Sequence, residues 1–250
     1  MTPNGRELIA LDRDAISEIS LTDGLFSLVR RVGNPDPFCG GFFDQAAAAD
    51  NGKIFVVFAL SGCYGDTPTY LYDILDHSLS ANSSLYDGIA AASADGSRIY
   101  AGGANTSPSQ LVQIFESQSN TISNSTVDLN LTAVSVSGNA SHVILENTYV
   151  YSRSLTLTGN IPFGGVALAS RDSSQAFVYV DDAAGTRIEV YNLNGPLQSG
   201  ALYPLLKTVM LPDSANGTGS FHRPVAMTSS LDDAVVFVSG DSKLLVVPVN

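Results

Sequence analysis

The chain has 250 residues, with 12 basic against 24 acidic side chains and a net charge of −12. An apolar fraction of 44% with only 14% charged residues belongs to a chain that buries a core, which excludes a disordered segment. The longest unbroken apolar run, Ile54 to Leu60, is far short of the ~20 residues a membrane-spanning helix needs, and a pI near 4.4 argues against nucleic acid as a partner.

The first residues, Met1-Thr2-Pro3-Asn4-Gly5-Arg6, hold no charged segment followed by an apolar one, so no signal peptide is legible. From Pro3 onward one pattern recurs. Small or apolar residues lead into a polar turn with Asp or Asn, often followed by Gly, and then into a β-branched or aromatic run. The copies follow in chain order through Pro3 to Ile9, Ala49 to Phe55, Ala90 to Tyr100, Ser137 to Ile144, Ser170 to Val178 and Ser230 to Phe237. Their equivalent apolar positions, Leu8, Ile54, Ile99, Val143, Phe177 and Val236, are spaced 46, 45, 44, 34 and 59 residues apart, a mean of 45.6. A period of ~40–50 residues made of short strands predicts propeller blades, not a helical solenoid.

Each repeat reads as four antiparallel strands. In the fifth, Ala176 to Val180 is one strand, the loop Asp181 to Thr186 follows, and Arg187 to Tyr191 alternates with period 2. Lys207 to Leu211 has the character of an edge strand. Asp-Gly and Asn-Gly turns supply the positive φ of a tight hairpin, and the Asp181-Asp182 and Asp232-Asp233 pairs read as turn caps. Gln45 to Asp50 has helical propensity but occupies a first-strand slot. The expected fold is therefore all-β: a propeller of about six four-stranded antiparallel blades, with a seven-bladed parent as the other option. The blades fall at roughly 1–36, 43–86, 88–130, 132–163, 166–220 and 225–250, in a single domain 1–250. The first is expected to lack its first strand and the last its fourth.

The pattern, an Asp-Gly turn before a strand of the Ile-Tyr-Val type, resembles the YVTN and lactonase-like class of propeller repeats over essentially the whole chain. WD40 fits less well, because there is no Trp, and kelch finds only Gly102-Gly103 to imitate its diglycine. In propellers the connections between blades share one face with the loops between second and third strands. That face would carry Phe38, Phe163 and Phe221 as an aromatic lip and His222-Arg223 as an anion-capturing pair. For each of these, blade packing or an ordinary surface pair is the competing role. Cys39 and Cys63 fall on the same face, so a disulfide is geometrically feasible, and two unpaired thiols are the alternative. The lactonase-like resemblance implies a divalent metal, such as calcium, held at the channel mouth, where Asp44, Asp87 and Asn130 are the oxygen donors. The family's Glu is missing from these segments, and turn capping competes.

Six Asn-X-Ser/Thr sequons, at Asn82, Asn105, Asn124, Asn130, Asn139 and Asn216, favour a secreted, periplasmic or cell-surface protein. Five lie between Ile54 and Ser152, where Arg98 is the only basic residue against eight acids. No nucleophile elbow, metal-protease or phosphate-loop motif is present. The sequence thus points to a non-enzymatic, extracytoplasmic interaction module for a protein or glycan partner, with no cofactor. The alternative is a lactonase-like hydrolase with a metal at the channel mouth.

Overall fold

The computed structural model describes residues 7–12, 14–22, 24–34, 42–59, 67–85, 88–103, 110–129, 131–162, 165–211, 226–229, 234–238 and 244–249. Among them there is no helix. The described residues form twenty-two strands in six antiparallel sheets, and in every sheet the strands lie side by side in chain order. The chain divides into two compact units, residues 1–134 and 135–250.

The first unit holds three sheets. Sheet 1 consists of β1 (Glu7–Asp12), β2 (Ala15–Thr22) and β3 (Leu25–Gly33). Sheet 2 consists of β4 (Phe42–Ala48), β5 (Lys53–Ala59), β6 (Thr67–Asp73) and β7 (Ser78–Leu85). Sheet 3 consists of β8 (Gly88–Ala92), β9 (Arg98–Gly103), β10 (Gln110–Glu116) and β11 (Thr121–Val127). In the second unit, sheet 4 consists of β12 (Val134–Val136), β13 (His142–Leu145), β14 (Tyr149–Ser152) and β15 (Leu157–Asn160). Sheet 5 consists of β16 (Gly165–Ala169), β17 (Gln175–Asp182), β18 (Gly185–Asn192) and β19 (Leu205–Met210). Sheet 6 consists of β20 (Ala226–Ser229), β21 (Ala234–Val238) and β22 (Leu244–Pro248). Leu8 lies in β1, so sheet 1 begins at the strand that is second elsewhere, and sheet 6 shows only the first three. Both three-stranded ends agree with the sequence pattern. The Ala-rich stretch after Gln45 is β4, a strand: its alanines pair with β5 from Ala46↔Val56 to Ala48↔Ile54, so the ladder overrides helical propensity.

Sheets 2 and 5 bury both faces against neighbours. Ile54, Val56, Tyr70 and Tyr72 of sheet 2 pack on Ile16 of sheet 1, while Phe55 packs with Ile99, Ala101 and Phe115 of sheet 3. In the second unit Ala176 and Val178 of sheet 5 pack toward Ile144 and Val150, whereas Phe177, Tyr179, Ile188 and Val190 pack on Val235 and Val247. This corrects the repeat alignment at its fifth copy. Ile99 stands six residues after Ser93, and the residue six after Ser170 is Ala176, not Phe177. A slip of one residue along a strand exchanges its faces, and Phe177 indeed faces the following sheet where Ile54 and Ile99 face the preceding one.

The turn between first and second strands is built the same way in sheets 3, 4 and 5. Ser93 Oγ donates to Asp95 Oδ1 (2.6 Å) and accepts from Arg98 N (3.1 Å), and Ser97 N donates to Asp95 Oδ1 (2.9 Å). Ser170, Asp172, Ser174 and Gln175 repeat these bonds, and Ser137, Asn139, Ser141 and His142 repeat the two backbone ones. The residue three beyond the serine, or beyond Ala49 in sheet 2, is left-handed in all four sheets. Gly52 (φ 79°) and Gly96 (φ 70°) fill it freely, while Ala140 (60°) and Ser173 (65°) fill it at a cost.

These turns also lock neighbouring sheets together. Asp50 N donates to Gly96 O (3.0 Å), Gly138 N donates to Ser170 O (3.1 Å), and Ser173 Oγ donates to Asn139 Oδ1 (2.7 Å). A Cβ on Gly96 would lie 2.5 Å from the Asp50 amide nitrogen. Gly96→Ala therefore combines left-handed strain with a backbone clash. It should cost about 2 kcal/mol or more, roughly 4–8 °C in Tm at this chain length, and a thermal-unfolding scan would read it.

Candidate functional site

In an antiparallel meander the first–second and third–fourth turns lie at one end of the sheet. The second–third loops and the connections to the next sheet lie at the other. The first end is compact, with residues 93–97 and 117–120 in sheet 3 joined by Ser117 N to Ser97 O (3.0 Å). The longer connections 34–41, 60–66, 104–109 and 211–225 belong to the other end.

Most of the residues that sequence reasoning selected cannot be placed from the described strands. Phe38, Cys39, Cys63, Asp87, Asn130, Phe163, Phe221, His222 and Arg223 lie outside the described residues. Asp44 is placed by its backbone alone. The β4–β5 register shifts between Phe43 and Gln45, which makes Asp44 the extra residue of a bulge. Among the described residues no group of three or more His, Cys, Asp and Glu side chains gathers as a metal would require. Of the turn-capping aspartates, Asp182 Oδ1 accepts from Ala184 N (2.8 Å) and Asp181 Oδ1 from Thr186 Oγ1 (3.0 Å).

The described polar centre that sequence reasoning missed is in the first unit. Glu18 of β2 is buried, 4% exposed, on the face of sheet 1 that meets sheet 2. Its Oε2 accepts from Tyr72 Oη (2.9 Å) and contacts His77 Nδ1 (2.9 Å). A carboxylate only accepts, so in a contact with the Glu18 carboxylate His77 Nδ1 is the donor. His77 reaches Glu18 from the β6–β7 turn with a left-handed backbone (φ 55°). On the opposite face of sheet 2 Lys53 pairs with Asp73, whose Oδ1 accepts from Leu75 N (2.9 Å). Burial, together with the Glu18 hydrogen bond and charge, pushes the Tyr72 phenol well above the usual tyrosine range. It stays a neutral donor. No local motif announces this triad, because Glu18 and His77 stand 59 residues apart.

A second cluster, in sheet 5, is saturated. The Arg187 guanidinium donates to both Asp182 oxygens (2.8 and 3.0 Å), and its Nε donates to Glu189 Oε1 (2.7 Å). Tyr191 Oη donates to Glu189 Oε2 (2.5 Å). Hydrogen bonds to Asp182 and Glu189 raise the Arg187 pKa still further, so this ion pair is permanent near neutral pH.

Comparison with known proteins defines the fold. The chain is similar to a functionally unknown protein from Desulfotomaculum acetoxidans, with a TM-score of 0.69, 12% identity, and 100% of this chain and 81% of that one covered. It is similar to the β-propeller domain of Myceliophteria thermophila Cps50 (Swd1), with a TM-score of 0.64, 10% identity, and coverages of 100% and 82%. It also matches a complex of KlAtg21 with the coiled coil of AgAtg16, with a TM-score of 0.65, 10% identity, and coverages of 98% and 78%. No family model and no curated protein matches the chain. The fold is that of a β-propeller.

Two measurements check the polar chemistry. Tyr72→Phe removes a donor from a buried carboxylate and should cost about 1.5–3 kcal/mol, a drop of several degrees in Tm. His142, at the start of β13, has its pKa lowered by burial, a shift that contacts with the backbone of Ser173 and Leu193 only partly offset. The folded chain then binds this proton less readily than the unfolded chain. Stability should fall as pH drops below the ordinary imidazole value of ~6.5. In His142→Gln, Tm against pH should be flatter between pH 6.5 and 5.

Proposed function

We propose that this chain is a β-propeller interaction module that works outside the cytoplasm and binds a protein or glycan partner. The binding surface is the sheet end that carries the long connections, with Phe38, Phe163, Phe221, His222 and Arg223 as contact residues. The observation that supports this reading is the difference between the two ends of the sheets. One end is tied by repeated side-chain and backbone bonds between adjacent turns, as between Asp50 and Gly96 and between Asn139 and Ser173. A scaffold held there can display long loops at its other end without losing order, the division of labour common to loop-borne binding sites. Among the similar structures, KlAtg21 was solved in complex with a coiled coil, so this fold serves protein recognition in at least that case. The six sequons support an extracytoplasmic setting.

Replacing Phe163 and His222 together with alanine should abolish partner capture by the immobilised chain while Tm stays within a degree or two. Capture that survives the double change would move the surface elsewhere. The same preparation tests the hydrolase alternative. Tm is expected to be the same with Ca²⁺, Mg²⁺, Mn²⁺ or Zn²⁺ as with chelator. A ligand at ~100 times its Kd would add about 2.7 kcal/mol, roughly 5–10 °C here, and a rise of that size lost on replacing Asp87 or Asn130 would favour the metal reading.

A further inference from the structure

The fold sorts the Asn-X-Ser/Thr sequons into different surroundings. Asn105, Asn130 and Asn216 lie outside the described residues, and Asn82 is placed by its backbone alone, as the extra residue of a bulge in β7. Two sequons are described with their side chains. Asn139 belongs to a turn that locks sheet 4 to sheet 5. Its Oδ1 accepts from Ser141 N (2.9 Å) and from Ser173 Oγ (2.7 Å), so its carboxamide is part of that lock.

Asn124-Ser125-Thr126 lies in β11, the outermost strand of sheet 3. In the β10–β11 ladder Ile122 opposes Phe115 and Asn124 opposes Gln113. Directly opposed residues share a face, and Ile122 and Phe115 pack with Phe55 of sheet 2. On this face Gln113 is 1% exposed, and its Oε1 accepts from Thr69 Oγ1 of sheet 2 (3.2 Å). One strand further out, Asn124 and Thr126 are exposed. The covering sheet and the exposed strand both belong to the first unit. The outermost strand of sheet 5, β19 (LLKTVM), exposes Leu205, Leu206 and Met210 instead and holds no sequon.

We propose that Asn124 is an N-glycan attachment site, so that the outer strand of sheet 3 carries an oligosaccharide. This assignment rests on the extracytoplasmic setting proposed above. In the transfer, Asn124 Nδ2 attacks the anomeric carbon of a polyprenyl-diphosphate-linked oligosaccharide. The C–N bond forms, the anomeric C–O bond to the diphosphate breaks, Nδ2 gives up one proton, and polyprenyl diphosphate leaves. Nothing is oxidised or reduced. Thr126 supplies the hydroxyl that completes the sequon. A bulky, solubilising group belongs on the surface, and the exposed Asn124 holds it there without displacing a buried side chain. Asn124 is the central residue of β11, so the glycan stands between the two sheet ends and leaves the loop-bearing end open to a partner.

Producing the full chain behind a cleavable secretion signal in yeast or animal cells tests the site wherever the native chain resides. Cleavage after Glu116 and Asp128 isolates Asn124 as the sequon of peptide 117–128. Removing the glycan with an amidase in heavy-oxygen water should turn Asn124 into labelled Asp in most molecules. Thr126→Ala should abolish the label and Thr126→Ser should keep it. If Thr126→Ala fails to fold, Asn124→Gln takes its place, and peptide 117–128 should then carry no glycan. The amidase should also release the glycan from the folded chain. An unlabelled Asn124 in the secreted chain, a label that survives Thr126→Ala, or a glycan released only after denaturation overturns the site. Location is read separately, by fractionating cells that make the chain naturally. A chain found only in the cytoplasm sinks the extracytoplasmic reading, whereas an unlabelled Asn124 in a secreted chain sinks the glycan site alone.

Discussion

Both faces of an interior sheet in this chain are apolar, so such a sheet must be covered twice. Sheet 2 shows the requirement in full. Ile54 and Val56 point one way, Phe55 points the other, and all three are at most 1% exposed. The alternation of side chains along a strand forces this arrangement. Sheet 5 repeats it with Ala176 and Val178 against Phe177 and Tyr179. A four-stranded sheet of this kind has no independent stability, and each repeat therefore depends on its neighbours.

Hydrophobic faces do not by themselves set the register between sheets. That task falls to the turns between first and second strands. Ser93 with Asp95 and Ser170 with Asp172 close each turn from within. The main-chain contacts Asp50 to Gly96 and Gly138 to Ser170 join it to the next. Burial works against the charge on Asp172, but hydrogen bonds from Ser170 and Ser174 outweigh it and hold the carboxyl below the usual range. The turn is thus best bonded with its aspartate ionised, and it loosens in strong acid.

Fold class was legible because the repeat states it several times over. The turn motif, the period near 45 residues and the short β-branched runs all give the same answer, including the three-stranded sheets at either end. The polar site was not legible. Glu18, Tyr72 and His77 come from two repeats, and none stands in a recognisable spacing. Glu18 resembles any charge on an alternating strand until sheet 2 packs over it. Face assignment in the fifth repeat was lost for a related reason. Phe177 is the more hydrophobic neighbour of Ala176, and pattern matching follows hydrophobicity, whereas the ladder counts residues from Ser170.

The sequence by itself determined that this chain is all-β, repetitive, acidic and built on Asp- and Asn-capped turns, because those properties reside in local spacing and composition. Tertiary structure alone decided which side of each strand is covered. It placed Glu18 beneath Tyr72 and His77, and it left Asn124 exposed while Gln113, its partner in the ladder, is buried. Burial depends on the sheet that lies opposite, and no window of sequence contains that sheet.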